Sequence, residues 1–321
     1  MLRNCSPYTF IILSFLALIM VGTLLLSLPF AHVSGGGFTY FEALFTATSA
    51  VTVTGLTVCD VHSTFSIYGE VIVLLLIQLG GLGILTLSSV IILLITKKIS
   101  FYTKRLVSEG LNHEAKIDLY SHIKKVVFVV LLIEAIGAAL LFFVFVGQYP
   151  WYKALYYGIF HSVSAFCNAG ISLFRYSLEG YTTHWGMNII ISLLVIFGGL
   201  GFTAIIELYE YLIGKRRKIS VNSKFSTLIT LLLLGVGTFL FFILEYRYTG
   251  ELTDGSVQQR LLVSFFHSAS LRTAGFSTVS LAGISGATAL LCMLLMFIGA
   301  SPNSTGSGIK TVSYTHLTLP T

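Results

Sequence analysis

The chain has 321 residues, of which 55% are hydrophobic and only 10% are charged. Soluble domains carry about 25% charged residues, so this composition excludes an ordinary soluble protein and predicts an integral membrane protein. The apolar runs are long enough for spanning helices, about 20 residues each, and they lack the alternation of barrel strands. We therefore expect an all-α membrane protein.

Six apolar runs are the best candidates for membrane-spanning helices. In chain order they cover residues 9–31, 71–96, 126–147, 187–213, 227–245 and 284–299. The first is longer than the apolar part of a signal peptide and has no clean cleavage site after it. The four cysteines, Cys5, Cys59, Cys167 and Cys292, lack metal-like spacing and are expected to pack as small apolar residues.

Positive charges are concentrated in two segments between the apolar runs. Residues 96–125 contain seven Lys or Arg residues and residues 214–224 contain five, whereas residues 32–70 contain none. The positive-inside rule then places the amino terminus and both basic segments on the cytoplasmic side of a plasma membrane. Because this rule accounts for the KRRK run at 215–218, we expect membrane lipids and no nucleic acid as partners.

Three short, half-polar segments lie between the long apolar runs, at residues 41–60, 154–174 and 261–281. Each contains a Gly followed by Leu, Ile or Phe, and these glycines are Gly55, Gly170 and Gly275. Their separations of 115 and 105 residues indicate an internal duplication. A second mark supports it, because GGLG begins 25 residues after the first glycine and 28 after the second, and Gly299 lies 24 after the third.

Segments too short to span, ending in a glycine, predict re-entrant helices. Irregular backbone is tolerated at membrane depth only where protein buries it or where it lines water, and backbone carbonyls there can replace the water around a cation. Glycine permits the backbone angles that line such carbonyls up. The candidate ion-selectivity filter comprises Thr52, Val53, Thr54, Gly55, Cys167, Asn168, Ala169, Gly170, Arg272, Thr273, Ala274 and Gly275.

Four motifs carry a resemblance to a known family: TVTGL (52–56), CNAGI (167–171), RTAGF (272–276) and GASPNSTGSGIKT (299–311). With them the chain resembles the membrane subunit of bacterial potassium uptake systems of the Ktr/Trk type, the superfamily that includes plant HKT transporters. The resemblance implies tandem pseudo-symmetric units around one pore, each built from an outer helix, a re-entrant pore helix, a filter loop and an inner helix. It also implies a homodimer and a cytosolic, nucleotide-binding KtrA/TrkA-like regulatory ring.

The resemblance divides the chain into three of an expected four units. The first unit covers residues 1–100, the second 101–220 and the third 221–311. We expect a fourth unit, but no segment of the sequence is recognised as its counterpart. A fragment that does not conduct ions therefore stays an alternative. The final residues 312–321, VSYTHLTLPT, resemble translated sequencing adapter and are interpreted as a non-biological tail.

The third inner helix gives way to a loop rich in small residues. Resemblance implies that this intramembrane loop, residues 299–311, lies beneath the filter and acts as a gate. Its residues are Gly299, Ser301, Pro302, Asn303, Ser304, Thr305, Gly306, Ser307, Gly308 and Lys310. Small residues and a proline prevent a continuous helix, and a lysine near the path would repel a cation. The alternative is a helix end that leads into a cytoplasmic loop.

The expected function is potassium translocation, with no cofactor bound by the chain and with sodium considered as an activator. Within the family a Ser at the first filter position goes with sodium, so Gly55 favours potassium. The alternative is a sodium-coupled or sodium-conducting secondary transporter, since broken helices are typical of those proteins too. No metal motif or nucleophile motif is recognised, and we do not expect an enzyme.

A few polar residues inside apolar segments need an interpretation of their own. We expect Arg272 to point behind the filter and to bond carbonyls or an acid, and Glu134 to brace an inner helix, the alternative being a protonated or near-interface group. His161 and His267 are expected to pack within helices. The outer acids are expected either to enrich cations at the pore mouth or to form a solvated face; they are Glu42, Asp60 and Glu70.

Overall fold

The computed structural model describes residues 7–33, 39–83, 119–215, 217–246, 256–301, 304–306 and 308, and in these ranges it forms helices and no strand. The all-α fold is thereby confirmed. The outer helix, short helix and inner helix follow one another three times. The unit boundary predicted at residue 100 and the tail at 312–321 lie outside the described residues, and the unit limits stay predictions.

The described residues of the first unit form four helices. They are α1 (Pro7–Leu26), α2 (Tyr40–Thr52), α3 (Val61–Thr64) and α4 (Ile67–Gly81). Thr39 and Glu42 form a capping box at the start of α2, with the Thr39 N–H donating to Glu42 Oε2 at 2.7 Å. At 13 residues α2 is too short to span a membrane, as expected of a pore helix.

The second unit differs from the sequence expectation at its inner helix. Its helices are α5 (Leu119–Phe145), α6 (Trp151–Phe166), α7 (Trp185–Leu200) and α8 (Phe202–Leu212). The single span predicted at 187–213 is wrong, because α7 and α8 are separate helices bent by 105°. The break falls at Gly201, whose φ of 91° and ψ of 139° are angles that a side chain disfavours.

The third unit repeats the order of the first. It consists of α9 (Val221–Tyr246), α10 (Val257–Ser270) and α11 (Gly286–Phe297). A capping box again begins the pore helix, here from Ser256 and Gln259. Short 3₁₀ helices connect elements in all three units, at Pro29–Ala31, Glu179–Tyr181 and Leu281–Gly283.

Two of the described helices are long and apolar enough to cross a membrane, Lys124–Phe145 and Val221–Glu245, and the bent pair α7 and α8 counts as a third. Both long helices are outer helices. Shorter apolar helices cover Ile12–Leu26, Ile67–Gly81 and Gly286–Phe297. Each inner helix is therefore short, broken or described only in part.

Small residues set the distance between each outer helix and its pore helix. A Cβ added to an outer-helix glycine would contact the pore helix in all three units, in the pairs Gly22 with Ala47, Gly137 with Ser162 and Gly237 with Ser268. The Ser162 hydroxyl donates to the Glu134 carbonyl at 2.7 Å, and the Ser268 hydroxyl donates to the Leu234 carbonyl at 2.9 Å. Such close small-residue contacts are how helices associate in a membrane.

Candidate filter and gating loop

The three candidate filter loops share one unusual backbone pattern. In each loop the glycine and the residue two positions before it have positive φ. The angles are 55° and 81° for Val53 and Gly55, 57° and 65° for Asn168 and Gly170, and 85° and 83° for Thr273 and Gly275. Left-handed backbone costs an L-residue about 1–2 kcal/mol. Because the left-handed backbone recurs at the same place in all three units, it belongs to the fold of the unit and not to one loop sequence.

The carbonyl of a serine near the end of each pore helix accepts a backbone hydrogen bond from the filter loop that follows. The Ser49 carbonyl accepts from the Thr54 N–H at 2.9 Å, the Ser164 carbonyl from Ala169 at 2.8 Å, and the Ser270 carbonyl from Gly275 at 3.2 Å. These bonds span five residues, one more than in an α-helix, and the Ser270 carbonyl also accepts the helical bond from the Ala274 N–H at 2.8 Å. They satisfy carbonyls that a helix end otherwise leaves unpaired.

Two of these serines also hold the filter loop with their side chains. The Ser164 hydroxyl donates to the Ile171 carbonyl at 2.7 Å, and the Ser270 hydroxyl donates to the Phe276 carbonyl at 2.5 Å. The equivalent Ser49 Oγ is buried and has no partner among the described residues. Sequence reasoning did not single out these serines, although the Ser before each filter motif was a visible signal.

The three predicted filter glycines lie together although more than one hundred residues separate each from the next. A Cβ added at Gly55 would lie 2.5 Å from the Ala169 carbonyl oxygen. One added at Gly170 would overlap the Ala274 carbonyl oxygen and lie 3.0 Å from the Gly275 Cα. Only glycine fits at such contacts, so the loops converge backbone to backbone.

The polarity around this convergence suits a cation. The three pore helices, α2, α6 and α10, all end at the filter loops, so their C-terminal ends bring partial negative charge there. The filter residues contain no acid, and Arg272 is their one ionisable cation. The loops themselves therefore offer backbone dipoles and no carboxylate to a cation.

Arg272 contacts the outer helix of its own unit. Its side chain is buried, and the guanidinium donates to Thr230 Oγ1 on the outer helix α9 at 3.4 Å. The partner among the described residues is a hydroxyl and not the carbonyl or acid that was expected, and the direction behind the filter stays a prediction.

Glu134 lies on the outer helix α5 behind the second filter loop. Its Oε1 is 3.9 Å from the Cys167 thiol of the candidate filter segment, and the bracing of an inner helix stays a prediction. Cys167 and Cys292 are buried free thiols, while Cys5 lies outside the described residues.

Both pore-helix histidines pack inside the protein. His161 Nδ1 lies 2.8 Å from the Tyr157 carbonyl and its ring stacks on Phe174, while His267 Nδ1 lies 3.0 Å from the Val263 carbonyl. The part of the chain that the structure describes contains no group of three or more His, Cys, Asp or Glu residues suited to a metal.

The outer acids have different roles from one another. Glu70 is buried, with its carboxylate 2.7 Å from His62 Nδ1 and 2.5 Å from the Tyr156 hydroxyl, so the idea that it faces solvent at the mouth is wrong. This contact joins the first unit to the pore helix of the second. Glu42 is partly exposed, and its carboxylate completes the capping box of α2.

The GGLG motifs mark where inner helices contact pore-helix ends. A Cβ at Gly80 would overlap the Val51 carbonyl oxygen, and one at Gly198 would overlap the Phe166 carbonyl oxygen. Each contact joins the inner helix to the pore helix of its own unit. Because the first glycine of the motif has no side chain, the inner helix can approach the end of its pore helix this closely.

The candidate gating loop packs against the broken inner helix of the second unit. The Ser301 N–H donates to the Gly199 carbonyl at 3.0 Å, and the Thr305 N–H donates to the Gly198 carbonyl at 3.2 Å. Ser301 is fully buried and Thr305 is 9% exposed. Four predicted loop residues lie outside the described residues: Pro302, Asn303, Ser307 and Lys310.

The loop also touches the filter itself. The Asn168 side-chain amide donates to Thr305 Oγ1 at 2.7 Å, and Thr305 Oγ1 donates to the Phe166 carbonyl at 3.0 Å. A Cβ at Gly306 would lie 2.6 Å from Thr273 Oγ1. Two filter loops and the gating loop thus meet in one place, a contact for which the sequence holds no local signal.

Residues 2–318 match the family described as TrkH, cation transport protein. The chain belongs to this TrkH family. The match runs through part of the tail at 312–321, whose origin stays a prediction. Membership places the chain among membrane transport proteins, and the described helices have the apolar character that this requires.

Relatives within the TrkH family include named transport proteins. The chain is 39% identical over 307 residues to Ktr system potassium uptake protein B of Vibrio alginolyticus, covering 95% of this chain and 66% of that protein. It is 36% identical over 314 residues to potassium/sodium uptake protein NtpJ of Enterococcus hirae, covering 97% and 68%. The chain therefore spans about two thirds of the length of these curated relatives.

The fold of the chain is similar to a solved TrkH structure. The potassium transporter TrkH from Vibrio parahaemolyticus superposes with a TM-score of 0.71 at 23% sequence identity, over 99% of this chain and 62% of that chain. At this identity the similarity establishes the all-helical fold.

Proposed function

We propose that this chain is the pore-forming part of a Ktr/Trk-type uptake system that translocates potassium across the cell membrane. The observation that carries the proposal is the convergence of Gly55, Gly170 and Gly275 at the ends of three pore helices. Relatives named as potassium uptake proteins support the choice of ion.

In this proposal backbone carbonyls select the ion. The filter segments 52–55, 167–170 and 272–275 present neutral carbonyl dipoles with no carboxylate among them. Such a ring can replace the water of a monovalent cation while holding it weakly enough to release it. The membrane potential then drives inward flux, about 2.3 kcal/mol per charge for each 100 mV.

The loop at 299–311 is proposed as the gate. Its residues Ser301 and Thr305 are buried against the second unit, and the described part of the loop contains no helix. Glycines and serines allow such a segment to rearrange at low cost. We assign the residues 302, 303, 307 and 310 to the same gate from the sequence alone.

The assembly around this pore is proposed from charge and from the repeat. The Lys125 Nζ lies 2.7 Å from Glu210 Oε1, so the start of α5 and the helix α8 share one side. We assign that side, the amino terminus and the basic segments to the cytoplasm, where a nucleotide-binding regulatory ring would dock on a homodimer. A fourth unit would complete the ring of filter loops.

Sodium is the second candidate cargo. The name of the relative NtpJ includes both potassium and sodium, at 36% identity to this chain. The two cations differ in how much hydration the carbonyls must replace, so the geometry at the first filter glycine is expected to discriminate between them.

The test compares potassium and sodium uptake by the full chain in cells that lack their own potassium uptake. Gly55→Ser is expected to lower the ratio of potassium to sodium uptake, because it adds a side chain beside the Ala169 carbonyl. Gly214→Ser is the matched control, since Gly214 has a φ of 76° with nothing within 4 Å of its added Cβ. An unchanged ratio in Gly55→Ser would refute the filter assignment.

A further inference from the structure

The break at Gly201 leaves the last carbonyls of α7 without helical partners. A helix end has up to four such carbonyls, and in a membrane interior water does not satisfy them. Two of them, from Gly198 and Gly199, accept the N–H groups of Thr305 and Ser301. The Leu200 carbonyl accepts from the Ser226 hydroxyl at 3.3 Å, and Ser226 also bonds the Ser301 hydroxyl.

The broken helix is therefore the docking site of the loop. Three consecutive carbonyls would lose their described partners if the loop and Ser226 moved away together. Because unpaired backbone groups are costly at membrane depth, the loop has one strongly preferred resting place.

Thr305 extends this docking to the filter. Its hydroxyl accepts from the Asn168 amide and donates to the Phe166 carbonyl, the last residue of the pore helix α6. Asn168 is 1% exposed and has a left-handed φ of 57°. Its side chain thus joins the strained point of the second filter loop to the gating loop, across 137 positions of sequence.

We propose that Asn168 and Thr305 form a latch that couples the gating loop to the selectivity filter. With the latch closed, the loop rests on α7 and Asn168 is held in its left-handed conformation. Movement of the loop breaks the amide–hydroxyl bond, so opening the gate also releases one constraint on the filter. Asn168 and Thr305 are positioning residues, and the inference rests on the proposed function.

The test is a double-mutant cycle on the full chain in proteoliposomes, without the regulatory subunit. Thr305→Val keeps the shape and removes the hydroxyl, and Asn168→Gly removes the amide while tolerating the left-handed backbone. Asn168→Gly is expected to raise potassium flux about tenfold, the factor that corresponds to one lost buried hydrogen bond. Thr305→Val also loses the bond to the Phe166 carbonyl and should raise the flux at least as much. Each change is also expected to lower the ratio of potassium to sodium flux, and the double variant should match Thr305→Val.

Thr305→Ser is the conservative control. It keeps the hydroxyl and is expected to retain wild-type flux and selectivity. Additive effects of the two changes, or unchanged flux in Thr305→Val, would overturn the latch while wild-type potassium flux still supports the proposed function. Absence of potassium flux in the wild type would instead refute the proposed function.

If the Asn168→Gly variant does not fold, a second measurement still tests the latch. Hydrogen exchange of the filter segment 166–170 is compared between the wild type and Thr305→Val. Faster exchange there supports the latch, because Thr305 is remote in sequence from that segment. Equal exchange would overturn it.

Discussion

Substitution by alanine at two neighbouring glycines of α7 is expected to change the thermal stability of the protein in opposite directions. A Cβ added at Gly198 would overlap the Phe166 carbonyl oxygen, whereas one added at Gly199 would lie 3.7 Å from the Ala300 Cβ, an ordinary contact. Both residues lie in the last turn of the same helix. The pair therefore separates a packing effect from a change in helix propensity.

The expected magnitudes follow from these two contacts. Gly to Ala in a helix contributes about 0.5–1 kcal/mol of stability, and this gain is common to both variants. Forcing an extra atom into a packed contact costs about 1–3 kcal/mol, and here the contact atom is backbone. We expect Gly199→Ala to match or exceed the wild type in thermal stability, and Gly198→Ala to lie below both by about 2–10 °C.

The assay is thermal unfolding of the detergent-solubilised full chain, followed by circular dichroism of the helices and by size-exclusion chromatography. Gly198→Ala is also expected to lose potassium flux, since it displaces the end of the pore helix that carries the second filter loop. Equal unfolding midpoints for Gly198→Ala and Gly199→Ala would refute the close contact between α7 and α6.

Three further predictions concern single side chains. Ser164→Ala removes the hydroxyl that donates to the Ile171 carbonyl and is expected to lower the ratio of potassium to sodium flux. Ser49→Ala is the control and should leave this ratio unchanged, because the Ser49 hydroxyl has no partner among the described residues. Equal effects of the two variants would contradict the role of the hydroxyl. Tyr156→Phe removes the 2.5 Å bond to Glu70 and is expected to destabilise the protein by about 1–3 kcal/mol in thermal unfolding, and an unchanged midpoint would argue against the contact. Lys125→Ala breaks a pair whose lysine side chain is 54% exposed, so the loss should stay within about 1 kcal/mol, and a larger loss would show a stronger pair than its exposure allows.

The repeat and its glycines could be predicted because a left-handed backbone position leaves a mark in sequence. Gly55, Gly170 and Gly275 each have positive φ, and at Gly55 and Gly170 nothing larger fits against the neighbouring loop. A different requirement, close approach without a Cβ, explains why GGLG recurs, since its first glycine lies against a pore-helix carbonyl. Local backbone chemistry is therefore what the sequence reveals best.

Contacts between distant segments could not be predicted in this way. Residues 187–213 form one apolar run, and hydrophobicity alone does not distinguish the helix break at Gly201 from a continuous span. Glu70 is charged and near the outer side, yet a histidine and a tyrosine from two units enclose it. The bond from Asn168 to Thr305 depends on how the second and third units pack, and no periodicity encodes that.

The most direct test of the potassium pathway is to locate the ion. Crystals of the full chain grown with rubidium, a heavier analogue of potassium, would be measured at the rubidium absorption edge. The account predicts an anomalous peak where the backbone carbonyls of the loops at Gly55, Gly170 and Gly275 converge, and its weakening in Gly55→Ser. A well-ordered filter without such a peak, or a rubidium site elsewhere in the protein, would contradict it.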